Sequence, residues 1–297
     1  MLYNNQILET YKKDGFYIFK NVIDTQLIEE ARQHVDWLIK KYPQLRPEHL
    51  HHPLMRDDAF WVRLITDERL LDIAELILGS NIACFTAHYI CKPAYDGHAV
   101  LWHQDGAYWK LEPMEAVTLW LAIDSSIPES GCLKMIPGSH QLPLQDLELN
   151  TSEPNLLFST LNSSYIEAEK AVDVVLQPGD VSIHHPHIIH SSEKNTSSNQ
   201  RCGLDMGFIQ TSTAISNEGL YLDPILVRGH AVEGINQYRS WPLYKVGKTI
   251  KFKGWEQWND KATLINDNNL FNLTSCEDPF NITMRMIDRL KQGTTNK

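Results

Sequence analysis

The residues with the clearest chemical potential are two imidazoles and a carboxylate. His103 and Asp105 stand two positions apart in the run Leu101 to Trp109, and His190 follows far downstream. Alternate residues of an extended chain project to the same side, so one strand can present the first two groups together while a distant strand supplies the third. Two histidines and one carboxylate on one triangular face of a metal leave three positions open, the ligand set of non-haem Fe(II) oxygenases. With 13 His and 37 acidic residues in the sequence, an isolated His-x-Asp arises by chance, so its weight rests on what surrounds it.

The surroundings of His190 are informative. Pro178-Gly179-Asp180 reads as a turn, the residues from Val181 to His190 are β-rich, Asn195 to Asn199 is polar and turn-like, and Arg201 to Ile209 reads as a second strand. An antiparallel hairpin centred between Asn195 and Thr196 sets His190 opposite Arg201. Opposed residues in such a ladder share a face. The pairing therefore predicts a guanidinium beside a metal ligand, a planar two-pronged donor suited to a carboxylate.

These segments resemble the phytanoyl-CoA dioxygenase family of Fe(II)- and 2-oxoglutarate-dependent oxygenases. Trp102 to Trp109, Glu129 to His140, Gly179-Asp180 and the His190 to Arg201 spacing match its pattern in order, over most of the chain. The resemblance implies a mainly β fold with flanking helices, a double-stranded β-helix or cupin-like jelly-roll barrel. It implies that His103, Asp105 and His190 bind Fe(II), that Arg201 holds the distal carboxylate of 2-oxoglutarate, and that Trp120, Ser192 and His88 line the co-substrate site, with O2 as the other reactant. A family lysine that should fall near His51 or His52 has no clear counterpart. Chlorinating relatives replace the carboxylate by Gly or Ala, so Asp105 implies hydroxylation of an unactivated carbon, with desaturation or cyclisation as variants. Other readings are a cupin-type metal enzyme or binding protein without 2-oxoglutarate, in which Arg201 and Trp120 have no task, and a non-enzymatic scaffold.

The elements that must position these groups follow from periodicity. Residues 4–13 read as a helix and Phe16 to Ile23 as a strand; Asp24 and Thr25 offer caps to a helix with apolar Leu27, Ile28, Ala31, Val35, Leu38 and Ile39. Tyr42 to Asp57 reads as an irregular loop near the site's mouth, where the pair His51-His52 is by default solvated. Phe60 to Leu78 reads as helical up to Gly79, and Asn81 to Lys92 as a strand with Thr86, His88, Ile90 and Lys92 on one face. Val117 to Asp124, Cys132 to Ile136 and Ala171 to Leu176 read as further strands, with residues 142–170 an insertion or lid. One domain spans residues 1–297, with helical support to about residue 80, a barrel from about 81 to 210 and a C-terminal cap from about 211.

Tyr108 and Trp109, beside the triad, are candidate substrate contacts. Lys92, Arg228 and Arg239 hint at a small-molecule substrate carrying a carboxylate or phosphate-like group; the cap also carries Tyr221, Trp241, Tyr244, Trp255 and Trp258. A formal net charge of −10 without a basic cluster argues against nucleic acid and anionic membrane surfaces as partners. Five scattered cysteines, with no Cys-x-x-Cys, read as reduced thiols. With no leader pattern in the first residues and no membrane-spanning run, the expectation is a cytoplasmic protein, monomeric or homodimeric.

Overall fold

The computed structural model describes residues 2–55, 58–150, 152–216, 223–238 and 278–293. The chain opens with helix α1 (Leu2–Asp14), strand β1 (Phe16–Phe19), helix α2 (Thr25–Lys41), strand β2 (Leu50–His51) and helices α3 (Ala59–Ile65) and α4 (Glu68–Leu78). Strands β3 (Ile82–Lys92), β4 (Val100–His103), β5 (Leu111–Glu112), β6 (Ala116–Ala122), β7 (Leu133–Met135), β8 (Leu147–Leu149) and β9 (Ser159–Leu161) follow. Then come β10 (Val172–Val174), β11 (Val181–His184), β12 (His190–Ser192), β13 (Arg201–Gln210), β14 (Ala214–Ile215), β15 (Ile225–Arg228) and helix α5 (Pro279–Gln292).

The strands form a double-stranded β-helix. Its larger antiparallel sheet runs β1, β11, β6, β13, β3, β15, with β2 also paired to β3; its smaller sheet runs β10, β7, β12, β4. Alternation along the strands decides which way each residue faces. Tyr89, Leu119, Leu121, Leu204 and Met206 turn outward into a core shared with Ile28, Ala31, Leu38, Leu71 and Ala74 of the helices. Burying each leucine there contributes about 1.5–3 kcal/mol. His88, Trp120, Arg201 and Asp205 take the other parity and line a cavity that residues of both sheets enclose.

The segment expected as one helix from Phe60 to Leu78 is two. Asp67 Oδ1 accepts from the Arg69 amide at 3.1 Å and caps α4, so the chain restarts there. Asp58 caps α3 and also meets His34 Nε2 at 3.1 Å in the core. Buried Asp180 accepts from the amides of Asn21 and Gln177 and from Lys20 Nζ, which ties the end of β1 to the turn before β11.

Two expectations need correction. His190 and Arg201 are not partners in a hairpin: β12 is paired on both sides, with His190 opposite His103 and Met135, while Arg201 in the other sheet faces Lys92. With both edges of β12 taken, β13 has nowhere to pair beside it, and the chain crosses between sheets. Nor are all cysteines free: Cys91 and Cys202 face each other on β3 and β13 and are joined as a disulfide, leaving Cys84 and Cys132 as thiols among the described residues, while Cys276 lies outside them. Among the described residues, no helix is long and apolar enough to cross a membrane.

Candidate metal centre and its cavity

β4 ends at His103, a short 3-10 turn begins at Asp105, and β12 begins at His190. Pairing of β12 with β4 sets His190 directly opposite His103, and the ring centroids are 4.1 Å apart. One ligand atom from each of His103, Asp105 and His190 lies within 4.8 Å of the others. His103 Nδ1 is 2.7 Å from the Leu101 carbonyl and His190 Nδ1 is 3.1 Å from the Ile188 carbonyl. A carbonyl only accepts, so each Nδ1 carries the hydrogen and each Nε2 keeps its lone pair. Those Nε2 atoms lie 3.4 Å and 3.5 Å from Asp105 Oδ1. Two lone-pair nitrogens turned on a carboxylate oxygen, with no hydrogen between them, suit a divalent cation rather than a hydrogen-bond network.

The other carboxylate oxygen is spoken for. Asp105 Oδ2 accepts from Thr118 Oγ1 at 2.8 Å and from His184 Nε2 at 2.9 Å, and Thr118 and His184 are register partners on β6 and β11. These two donors fix the carboxylate plane and leave Oδ1 for the triad. Burial pushes the Asp105 carboxyl up, but His190, His103 and His184 together hold it well below its usual range. Burial, and then the neighbouring His103, push His190 well below an ordinary imidazole, which keeps it a neutral donor.

One end of the cavity is built around Arg201. Its guanidinium is buried, donates to the Gly131 carbonyl and lies 5.0 Å from the Trp120 ring centroid, while its Nε has no partner. Burial lowers its pKa to about 10, which leaves it cationic at neutral pH. Gly203 follows on the same face of β13, and a Cβ there would meet Trp120 Cζ2 at 1.9 Å. The missing side chain is what lets the indole lie across the strand. Ser192 lines the same end, and its Oγ accepts from Lys92 Nζ at 2.8 Å.

The remaining walls are mixed. His88 sits between His51 and Asp205 in register, and all three line the cavity, with the His51 and His88 rings 5.1 Å apart. Burial lowers His88 to about 4 and pushes His51 well below its usual value. Burial, and then Asp105, push the Asp205 carboxyl well above its usual range. Trp109 packs edge-on against Phe85, and Tyr108 Oη lies 2.6 Å from Ser159 Oγ of β9. Leu156 and Leu157, before β9, and Met286 and Leu290 of α5 complete an apolar wall. The cavity volume is about 140 Å³.

Every described candidate from the sequence falls on this cavity except two. Lys92 shares the inward face, but its ammonium is spent on Ser192 and the Glu193 carbonyl, and it is not among the lining residues. Arg228 is engaged by Glu68, Asp72 and Glu75, an acidic stripe on α4 outside the barrel. The anionic-substrate expectation loses these two of its three supports. Arg239, with Tyr221, Trp241, Tyr244, Trp255 and Trp258, lies outside the described residues. The pair His51-His52, expected as solvated, is buried, because β2 docks on β3. Sequence reasoning missed Thr118, His184 and Asp205; a parity count along their strands from Trp120 and Arg201 places all three on the inward face.

A family model described as phytanoyl-CoA dioxygenase (PhyH) matches residues 11–203. Among curated proteins, the chain is 26% identical over 229 residues to the peroxisomal phytanoyl-CoA dioxygenase of Bos taurus, covering 67% of this chain and 66% of that one. It is 25% identical over 225 residues to the L-proline trans-4-hydroxylase of Streptomyces griseoviridis, covering 65% and 82%. Among solved structures, the apo non-heme monooxygenase ThoJ superposes with a TM-score of 0.71 at 19% identity, covering 96% of this chain and 99% of that one. The epimerase SnoN, in complex with Fe3+, alpha ketoglutarate and nogalamycin RO, gives 0.60 at 20% identity, covering 78% and 96%. At these identities the superpositions speak for the fold, while the family match extends over more than half the chain and contains the triad and Arg201. The chain belongs to the phytanoyl-CoA dioxygenase family.

Proposed function

We propose that this protein is an Fe(II)- and 2-oxoglutarate-dependent dioxygenase that hydroxylates an unactivated carbon of a small molecule. The observation that carries the reading is the meeting, in one cavity, of the His103, Asp105 and His190 donors with a buried arginine whose Nε has no partner. A buried cation without an ion-pair partner is a standing cost unless an anion joins it. The far carboxylate of a dicarboxylate such as 2-oxoglutarate would meet that need.

When bound, the iron and 2-oxoglutarate supply oxygen activation coupled to decarboxylation to succinate and CO2. The chain's own groups do the positioning. His103, Asp105 and His190 would hold the metal, and Thr118 and His184 fix the Asp105 carboxylate so that Oδ1 stays available to it. Arg201 receives the far carboxylate of the co-substrate, Trp120 packs on the guanidinium, and Ser192 offers its hydroxyl at the same end. Lys92 acts through Ser192, holding that hydroxyl in place. Trp109, Leu156, Leu157, Met286 and Leu290 surround the substrate's reacting carbon and exclude water, which limits unproductive turnover.

The proposal is tested by succinate release under air with Fe(II), 2-oxoglutarate and a panel of small molecules. Stimulation by at least one compound in wild type, and none in Asp105→Ala, is expected. Equal succinate release by wild type and Asp105→Ala would overturn it. A cupin-type reading without 2-oxoglutarate predicts that Arg201→Leu leaves activity unchanged.

A further inference from the structure

Two of the cavity's ionisable groups, Arg201 and Asp205, sit on one strand, four residues apart. Along the inward face of β13 come Arg201, Gly203, Asp205 and Gly207, so about 13 Å of strand separates the guanidinium from the Asp205 carboxylate. Trp120 fills the space over Gly203 between them. Beyond Asp205, a Cβ on Gly207 would meet Phe85 Cε1 and Thr86 Cγ2 at 2.7 Å, and Phe85 in turn packs on Trp109 at 4.9 Å. The order along the wall is therefore cation, indole, carboxylate, then aromatic surface.

Asp205 differs from every other acid in the cavity. Asp105 is engaged by Thr118, His184 and the triad, and Glu48 is paired with Arg46 at 2.9 Å. Asp205 makes no hydrogen bond or ion pair with any described residue, although it lines the cavity. Its register partners are Trp120 and His88, with His51 next in the row, and none of these side chains carries a cation to it. His88 Nδ1 and His51 Nε2 beside it are buried without partners. The only Arg or Lys among the described residues lining the cavity is Arg201, on the far side of the indole.

We propose that Asp205 is the anchor for a positively charged amine on the substrate, whose apolar body lies against Trp109, Leu156, Leu157 and Met286. This rests on the dioxygenase reading above and names the substrate class for the same cavity: a small hydrophobic amine in place of the anionic compound suggested by sequence. Burial, and then Asp105, hold the Asp205 carboxyl of the empty cavity toward its neutral form; an ammonium ligand at hydrogen-bond distance favours the ionised form, and the resulting charged hydrogen bond supplies affinity and orientation. The division of charge also keeps the two small molecules apart: the dicarboxylate is drawn to Arg201, and an amine is drawn to Asp205. The protein's net charge of −10 favours approach of the cation.

The test measures binding by calorimetry for hexylamine, hexanol and hexanoate, three probes with one apolar body and different heads. Each is titrated into metal-free protein and into protein loaded with Ni(II) and 2-oxoglutarate. Hexylamine is expected to bind roughly tenfold or more tightly than hexanol, the scale of one hydrogen bond to a charged group, with hexanoate weakest. Asp205→Asn, nearly isosteric, should erase the preference for the amine and leave hexanol unchanged. Equal binding of amine and alcohol, preference for hexanoate, no binding of hexylamine, or an Asp205→Asn protein that keeps the preference would each overturn the proposal. The wild-type comparison needs no variant, so a misfolded Asp205→Asn leaves it decisive. Because the preference is read without iron, its failure and that of the dioxygenase reading are separately visible.

Discussion

Gly203→Ala is a one-carbon perturbation with a calculable consequence. The added methyl would sit 1.9 Å from Trp120 Cζ2 and 2.4 Å from Cε2 and Cη2. The indole cannot swing away freely, because Trp120 is 1% exposed and packs with Ala122, Leu133 and Met135. Overpacking a rigid site costs about 1–3 kcal/mol, and the close approach to a ring points to the upper half of that range. At roughly 2–4 °C per kcal/mol for a chain of this size, the melting temperature should fall by about 5–10 °C. A second effect follows from the 5.0 Å contact between Arg201 and the ring. A desolvated cation–π contact is worth up to about 2 kcal/mol, so a displaced indole should weaken 2-oxoglutarate binding on the order of tenfold. Thermal unfolding and a co-substrate titration read the two effects. Adding Trp120→Phe, which removes the outer ring atoms, should restore at least half of the lost melting temperature, giving a favourable coupling in the double-mutant cycle. A Gly203→Ala protein that melts within a degree of wild type and binds 2-oxoglutarate normally would refute the account of this wall.

Four further outcomes are expected. His184→Ala removes one of two donors to Asp105 Oδ2 and should weaken Fe(II) or Co(II) binding about 10–100-fold in a metal titration, with little change in fold by circular dichroism. Arg201→Leu should raise the dissociation constant for 2-oxoglutarate at least about tenfold while leaving metal affinity near wild type. His49 and His88 have folded values lowered to about 4, mainly by burial, so each binds a proton on unfolding between pH 6.5 and 4. Their contribution is present above pH 6.5 and lost as pH falls through that window; the urea midpoint should drop from pH 7 to pH 5, and less steeply in His49→Gln. Leu290→Ala, which opens the α5 wall of the cavity, should raise KM for the substrate found by succinate release more than it lowers kcat.

The triad was legible because its chemistry is written in a two-residue spacing plus one distant histidine, and strand alternation enforces the first half. The inward face of β3 was legible on the same ground. What failed were inferences that needed the path between strands. Asn195 to Asn199 reads as the turn of a local hairpin, yet β12 is hydrogen-bonded on both edges and the chain must cross to the other sheet. Lys92 has the parity of a cavity residue, but the carbonyls of Ser192 and Glu193 lie close enough to take its ammonium, a contact between sheets that no local pattern encodes. Arg228 was misread for lack of its partner: Glu68, Asp72 and Glu75 recur at helical spacing and mark an acidic face of α4 that a neighbouring cation would seek. The loop holding His51 looked solvated because a two-residue strand is too short to leave a periodic signature.

The central claim is that His103, Asp105, His190 and Arg201 together hold iron and 2-oxoglutarate. Its most direct test is an anaerobic titration of metal-free protein with Fe(II) and then 2-oxoglutarate, following the visible charge-transfer band of the chelated keto acid. The account predicts the band in wild type, no band in His103→Ala, and a band in Arg201→Leu only at much higher 2-oxoglutarate. Iron binding with no band in wild type, or a band of equal strength in His103→Ala, would contradict it.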